Sequence, residues 1–444
     1  MSGFSLRSFK AKIKSSIQEF RRFRSTSSQS LVLPYFYCTL YLLTGAMAYY
    51  RPHGPGFIGP PPPPVPWHSW RNTGGDLGAF QRPFGIGDER LPEPLRVFVN
   101  AAYYPNWGVY KQGPPSSLNL ACISHVFYAF AHVKQDGTVY ISDEWADTQI
   151  EVDGTHGCLQ AFGKLKLEYK HLKVILSVGG GGNGSQHFAQ VASDASSRGI
   201  FANTAKQLVV QYGLDGIDID WEHPSNPTDG QHYIQLLQDL RQYLPAPQYI
   251  LTSALPAGEW ALCNIDLFAA SQLLDFINIM AYDFSGPWTP QSGHQAQLFS
   301  PQAPHNDHAI HSGHGTITYL LSKHVPKKKI LLGIPVYGRS FLGINHIGQY
   351  PCGAGGEDGV FLYKDLPRPD ASPEIVDRVV GAAYSVGGDG GFVTYDNPDT
   401  VKMKANYVRE MGLGGIFFWT GAADVRSGNR SLIETSYVTL HTQL

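Results

Sequence analysis

Apolar and polar positions change texture at Arg96. From there, short apolar runs alternate with longer stretches of helical character. The runs are VFVNAAYY (97–104), ISHVFYAF (123–130), KVILSVGG (173–180), DGIDIDWEHP (215–224), YILTSAL (249–255), FINIMAYDF (276–284), ILLGIPVYG (330–338) and GLGGIFFW (412–419). Helix-like segments lie between them, at 186–211, 229–243, 314–325, 399–411 and 430–441. Eight strands alternating with helices over roughly 350 residues predict an α/β fold, the (β/α)8 TIM barrel. A doubly wound open sheet is the alternative. It fits less well, because no Gly-rich phosphate loop follows the first run.

The fourth run carries a second pattern. Ile217, Ile219 and Trp221 alternate with Asp218, Asp220 and Glu222. A period of two is that of a strand, so three acids share one face, with Asp215 just ahead of them. An apolar outer face and an acidic inner face suit a parallel barrel with helices outside and a polar lumen at one end. Glu222 comes last, at the C-terminal end, where barrel enzymes hold their chemistry. Asp220 and Glu222 stand ~6–7 Å apart along that face, with Asp218 behind them. Like charges this close do not all ionise, so at least one carboxyl keeps its proton near neutral pH. The outermost, Glu222, is the candidate general acid. A solvated acidic edge and a divalent-cation site are the competing readings of three acids on a strand.

Polar and aromatic residues gather where the other runs end. These are Tyr103, Tyr104 and Trp107 after the first, Ser177 to Gly180 in the third, and Met280, Tyr282, Asp283 and Trp288 around the sixth. Tyr337 and Arg339 follow the seventh, and Trp419 closes the eighth. One aromatic at a strand end fits a core. Several at the same end describe a cleft floor.

Composition narrows the class. Hydrophobic residues make up 43% and charged residues 16%, which is globular and not disordered. A net charge of −2 argues against nucleic acid as the main partner. Aromatics at 12% fit either a surface on which pyranose faces stack or a large apolar core. The five cysteines show no CxxC or Cys/His spacing, so no metal, zinc included, is expected. Cys122 sits in an apolar run and reads as core, and a Cys263–Cys352 bridge is conceivable.

Residues 1–30 are basic and Ser-rich, and residues 31–50 carry no charge. Two readings compete for residues 1–50. One is a basic leader with a signal peptide, cleaved near Ala46-Met47-Ala48, and the other an uncleaved membrane anchor. Both predict export, to a secreted or a membrane-anchored place. A mitochondrial presequence fits the Arg/Ser-rich start but not the apolar block. Residues 51–94, with Pro60 to Pro64 in a row, predict a disordered Pro/Gly-rich linker. Asn183-Gly184-Ser185 and Asn429-Arg430-Ser431 are glycosylation sequons, meaningful only on export, and the first is expected to go unused beside the cleft. The histidines from His294 to His314 read as a solvated loop, and Lys327 to Lys329 as a turn on the far face of the barrel.

DGIDIDWEHP resembles the DxxDxDxE signature of glycoside hydrolase family 18, the chitinases and their relatives, with Asp215, Asp218, Asp220 and Glu222 in the acidic positions. SVGG, MAYDF, YGRSF and GGIFFW resemble the family's motifs on the third, sixth, seventh and eighth strands, so the likeness covers residues 95–440. It implies a fungal-type catalytic barrel with a short α+β insertion at 344–395, between strands seven and eight. It also implies a monomer that acts on chitin or chitooligosaccharides without a cofactor. A catalytic set of Glu222, Asp220, Asp218 and Tyr282 follows from it. The implied sugar-binding residues are Tyr104, Trp107, Gly180, Met280, Asp283, Trp288, Tyr337, Arg339 and Trp419.

A standard retaining glycosidase needs two carboxylates on opposite sides of the bond. Here the acids share one strand. In the resembled family the substrate's own 2-acetamido carbonyl is the nucleophile. Glu222 would then be acid and base, Asp220 would hold the acetamido N–H, Tyr282 would fix its angle, and Asp218 would share a proton or hydrogen bond with Asp220. A chitin-binding lectin on the same barrel is one alternative, disfavoured because Glu222 is present. An endo-β-N-acetylglucosaminidase acting on N-glycans is the other.

Overall fold

The computed structural model describes residues 98–304 and 309–442. The basic leader, the uncharged block and the Pro/Gly-rich stretch lie outside the described residues. Eight parallel strands form the centre: β1 (Val99–Pro105), β2 (His125–Val133), β3 (Lys173–Gly179), β4 (Gly216–Asp220), β5 (Ile250–Pro256), β6 (Phe276–Met280), β7 (Ile330–Pro335) and β8 (Gly415–Trp419). Each pairs with its neighbours in sequence, and β1 pairs with both β2 and β8, so the sheet closes. This is the (β/α)8 barrel that the eight runs predict.

Alternation along the strands separates two cores. Ala102 and Tyr104 on β1, and Ile217 and Ile219 on β4, face outward into a large cluster shared with the helices. Val99, Ala101 and Tyr103 face inward and pack with Phe127, Ile175, Leu331 and Phe417 inside the cylinder. The interior is therefore filled below, and polar only near the C-terminal ends of the strands.

Helices α1 (Cys158–Glu168), α2 (Ala195–Gln211), α3 (Pro227–Tyr243), α4 (Leu267–Leu273), α5 (Gly313–Ser322), α6 (Pro398–Met411) and α7 (Leu432–His441) lie between or after the strands. Local chemistry starts them. Asn226 accepts from the amides of Thr228 and Asp229 ahead of Pro227, and Asn397 forms a capping box with Thr400 ahead of Pro398. The segment expected as one helix at 186–211 breaks in two, because Asp194 is extended and caps α2 through the amide of Ser197.

The insertion between β7 and β8 is a five-stranded antiparallel sheet, in the order Val360–Leu362, Tyr337–Phe341, Gly391–Tyr395, Ala382–Gly387, Ile375–Asp377. Its helical content is two 3-10 turns, Tyr363–Asp365 and Gly388–Gly390. Its first strand begins at Tyr337, earlier than the sequence suggests. Pro335 closes β7, and YGRSF leaves the barrel to pair with Gly391–Tyr395. The insertion is tied to α6 by a buried ion pair. Lys404 Nζ meets Asp396 Oδ2 at 2.5 Å and donates to the carbonyl of Ala296 at 2.6 Å.

Two smaller expectations are corrected. The His294 end of its stretch is not solvated: His294 is buried, with Nδ1 3.2 Å from Thr394 Oγ1 and Nε2 3.8 Å from Asp377, because it packs against the insertion, while residues 302–304 are exposed. Cys263 and Cys352 are exposed free thiols. Cys122 is half-buried at the edge of the outer core. Lys327–Lys329 form a 3-10 turn leading into the N-terminal end of β7.

Candidate active site

The acidic row sits where β4 ends. Asp218 is fully buried and accepts four hydrogen bonds from four other strands. Tyr103 OH donates to Oδ2 at 2.9 Å and Ser177 Oγ at 2.7 Å; Thr252 Oγ1 donates to Oδ1 at 2.6 Å and Asn278 Nδ2 at 3.3 Å. These four donors engage both oxygens of Asp218. Burial raises the Asp218 pKa, and the donors from Thr252, Ser177 and Tyr103 oppose that rise. Asp215 points the other way. It pairs with Lys166 at 2.6 Å and Lys173 at 3.3 Å outside the barrel.

Asp220 is buried and its Oδ1 has no hydrogen-bond partner. Burial first, then the charges of Glu222 and Asp218, hold it well above the usual carboxylate range. Glu222 is also raised, by burial and then by Asp283. Two carboxyls held this way resist ionising together.

Glu222 lies two residues beyond the strand, where ladder bonds no longer fix it. Ser185, from the loop after β3, does so instead. Its Oγ accepts from the Glu222 amide at 2.8 Å and lies 2.9 Å from the carbonyl of Gly180 and 3.2 Å from that of Asp220. Gly180 has φ +87°, and a Cβ there would meet the Phe130 ring at 2.6 Å, so its backbone, not a side chain, serves the site. Its neighbour Gly181 leaves room for the Glu222 carboxyl, which would stand 3.5 Å from a Cβ at that position.

The opposite wall comes from β6 and the insertion. Asp283 accepts from Tyr337 OH at 2.8 Å and from Arg339 Nε and a terminal nitrogen at 2.8 and 2.7 Å. Arg339 also lies 4.7 Å over the Trp288 ring. Tyr282 sits between the walls, edge-on to Tyr337 and Phe417, both at 6.3 Å. Trp419 forms the floor. It stacks on Phe130 at 5.7 Å and meets Tyr103 at 5.4 Å and Trp107 at 6.4 Å.

Between these walls lies one cavity of about 320 Å³, lined also by Gly181, Gln112, Val360 and Leu362. Of the residues the sequence singled out, Trp107, Asp220, Glu222, Met280, Tyr282, Asp283, Tyr337, Arg339 and Trp419 meet there. Tyr104 does not. Its side chain faces the helices, stacks near Tyr128 and donates to the carbonyl of Gly113, while Tyr103 takes the lumen. The two are adjacent on one strand, so only one can face the cleft. Trp288 stands on the rim, 54% exposed. Asp218 and Gly180 lie behind the lining. Phe130, Gln112, Thr252, Asn278 and Ser185 went unnoticed as site residues, and Tyr103 was placed at the cleft floor but left out of the sugar-binding set. For Tyr103 the signal was there, in its phase with Val99 and Ala101. Among the described residues, no group of three or more His, Cys, Asp or Glu side chains is arranged to hold a metal ion.

The profile of glycosyl hydrolases family 18 matches residues 99–424, nearly all of the barrel and the whole cleft. The chain belongs to glycoside hydrolase family 18. It is therefore a glycosidase by family. It is 36% identical to "Endochitinase 1" of Metarhizium robertsii over 76% of this chain and 84% of that protein. To "Chitinase 1" of Aphanocladium album it is 34% identical, over 78% and 86%. Among solved structures it is similar to a family 18 chitinase from Cycas revoluta in complex with (GlcNAc)3, with TM-score 0.67 and 27% identity over 76% of this chain and 98% of that one. Membership accounts for the alignment of SVGG, DGIDIDWEHP, MAYDF, YGRSF and GGIFFW around a single cavity.

Proposed function

We propose that this family 18 enzyme is a chitinase. It hydrolyses β-1,4 bonds between N-acetylglucosamine units with retention, and the sugar's own acetamido group is the nucleophile. The arrangement of carboxylates carries this reading. The cavity is lined by Asp220, Glu222 and Asp283. Asp283 is engaged by Arg339 and Tyr337, and the other two come from one strand end. Protein-nucleophile retention needs two carboxyls flanking the bond ~5 Å apart. Among the described residues, no unengaged carboxylate lines the cavity from another strand. The nucleophile then arrives with the substrate, as is general for this family.

Glu222 gives its proton to the glycosidic oxygen as the bond breaks. The acetamido oxygen attacks C1 from the other face and forms an oxazolinium ion. Asp220 Oδ1, buried and unpartnered, accepts the acetamido N–H and stabilises the positive charge. Tyr282 fixes the angle of that group. Asp218, saturated by its four donors, keeps a polarised carboxylate behind Asp220. Glu222, now ionised, takes a proton from the entering water. The names of the relatives support chitin as substrate, and the aromatic floor fits a pyranose face. Export is part of the proposal, supported by the basic start and the uncharged block at 31–50.

Glu222→Gln tests the assignment. It should lower kcat on a fluorogenic chitobioside by ~10²–10⁴ while oligosaccharide binding persists. Near-normal turnover would remove Glu222 from the mechanism.

A further inference from the structure

Asp147 is a buried carboxylate outside both the acidic row and the lumen, and its hydrogen bonds lead toward the cleft. Asp147 lies in the five-residue π-helical turn Trp145–Gln149, a rare element that is frequent at functional sites. It is 1% exposed. Its Oδ1 accepts from Tyr128 OH and from Asn106 Nδ2 at 3.1 Å, and its Oδ2 accepts from the Asp143 amide at 3.1 Å. Asn106, also buried, stands between Asp147 and the cleft. Its Oδ1 accepts from the Trp107 amide at 2.9 Å, and its own amide donates to the carbonyl of Ala129 at 2.6 Å. Its Nδ2 donates to Ser142 Oγ at 3.0 Å, and Ser142 Oγ donates to the carbonyl of Phe130 at 2.6 Å.

Trp107 and Phe130 are two of the rings around Trp419, and both hang from this network. An asparagine side chain has a donor end and an acceptor end. The carboxylate facing Nδ2 decides which end meets the Trp107 amide. We infer that Asp147 is a positioning residue for the sugar-stacking wall. Acting through Asn106 and Ser142, it fixes Trp107 and Phe130 and so sets the affinity for the N-acetylglucosamine unit lying against them. The inference rests on the chitinase reading. Asp147 makes no hydrogen bond to Asp218, Asp220 or Glu222, so its loss acts on binding and leaves bond cleavage alone.

In Asp147→Asn the amide turns a donor toward either Asn106 or the Asp143 amide. KM for chitohexaose should rise about tenfold, the worth of one lost charged hydrogen bond, with kcat changed by no more than about threefold. Asn106→Ala should do the same from the other end of the relay. Trp107→Ala should raise KM alike. Adding Asp147→Asn to it should raise KM much less than in the wild type, since most of what Asp147 holds is then gone. Amide exchange in the full-length protein gives a readout free of hydrolysis. The peptide covering 105–112 should exchange faster in both relay variants, and the peptide covering 215–224 at the wild-type rate. Unchanged KM with unchanged exchange, or a kcat falling as far as KM rises, would overturn the inference. A wild-type enzyme inert on chitohexaose would sink the chitinase reading, and the exchange comparison would still decide the role of Asp147.

Discussion

Ser185→Ala isolates how the acid is held. The hydroxyl accepts the Glu222 amide at 2.8 Å and reaches the carbonyl of Gly180 at 2.9 Å, in a buried position. Removing it leaves a buried N–H unsatisfied, at a cost of ~1–3 kcal/mol. The side chain is small, so little apolar packing is lost. The freed backbone lies next to the proton donor, and the misplacement is felt where the proton moves. If the whole cost appears in the transition state, kcat falls roughly 5- to 150-fold at 1.36 kcal/mol per tenfold. KM should hold within about twofold, because Ser185 is not among the cavity-lining residues. Steady-state kinetics on a fluorogenic chitobioside measures both constants, and a thermal melt reports whether the fold survives. A folded Ser185→Ala with wild-type kcat would show that the Glu222 backbone needs no such tether.

Two further changes probe charge. Asp283→Asn removes the negative charge that, after burial, raises Glu222, and leaves the Arg339 cation unpaired beside it. Both effects lower the Glu222 pKa. A general acid works protonated, below its pKa, so the alkaline limb of kcat should move to lower pH by about one unit; a limb that stays or moves up contradicts this electrostatic account. Lys404→Met strands the buried Asp396 charge and should cost ~3–5 kcal/mol of stability in urea denaturation. Lys404→Met with Asp396→Leu should recover most of that, and a double variant no better than the single would show that packing, not charge, holds α6 to the insertion.

The sequence made some of this legible and hid the rest for physical reasons. Alternation is a local rule, so the row Asp218, Asp220 and Glu222 could be read from ten residues. The same rule separates Tyr103 from Tyr104, yet both ended one apolar run, and the end of a run alone does not tell lumen from outer face. The partners of Asp218 are set by register across strands: Ser177 and Thr252 lie directly beside it on β3 and β5. That adjacency joins residues 41 and 34 positions apart in the chain, and no single-strand pattern announces it. Ser185 looked like part of a sequon because its hydroxyl finds Glu222 only after two loops meet. The stretch from His294 is polar in composition, but the insertion covers its His294 end, and tertiary packing there overrode a reading made from residue type. Pro335 was visible as a break in a run that otherwise continued into YGRSF, and that run was followed three residues too far, to Gly338.

The central claim is that the sugar supplies the attacking group. Initial rates on chitohexaose and on the fully deacetylated glucosamine hexamer, with the same wild-type enzyme at the same pH, test it most directly. The account predicts rapid cleavage of the first and no detectable cleavage of the second. Comparable rates on both would mean that a protein carboxylate or a water does the work assigned here to the acetamido oxygen.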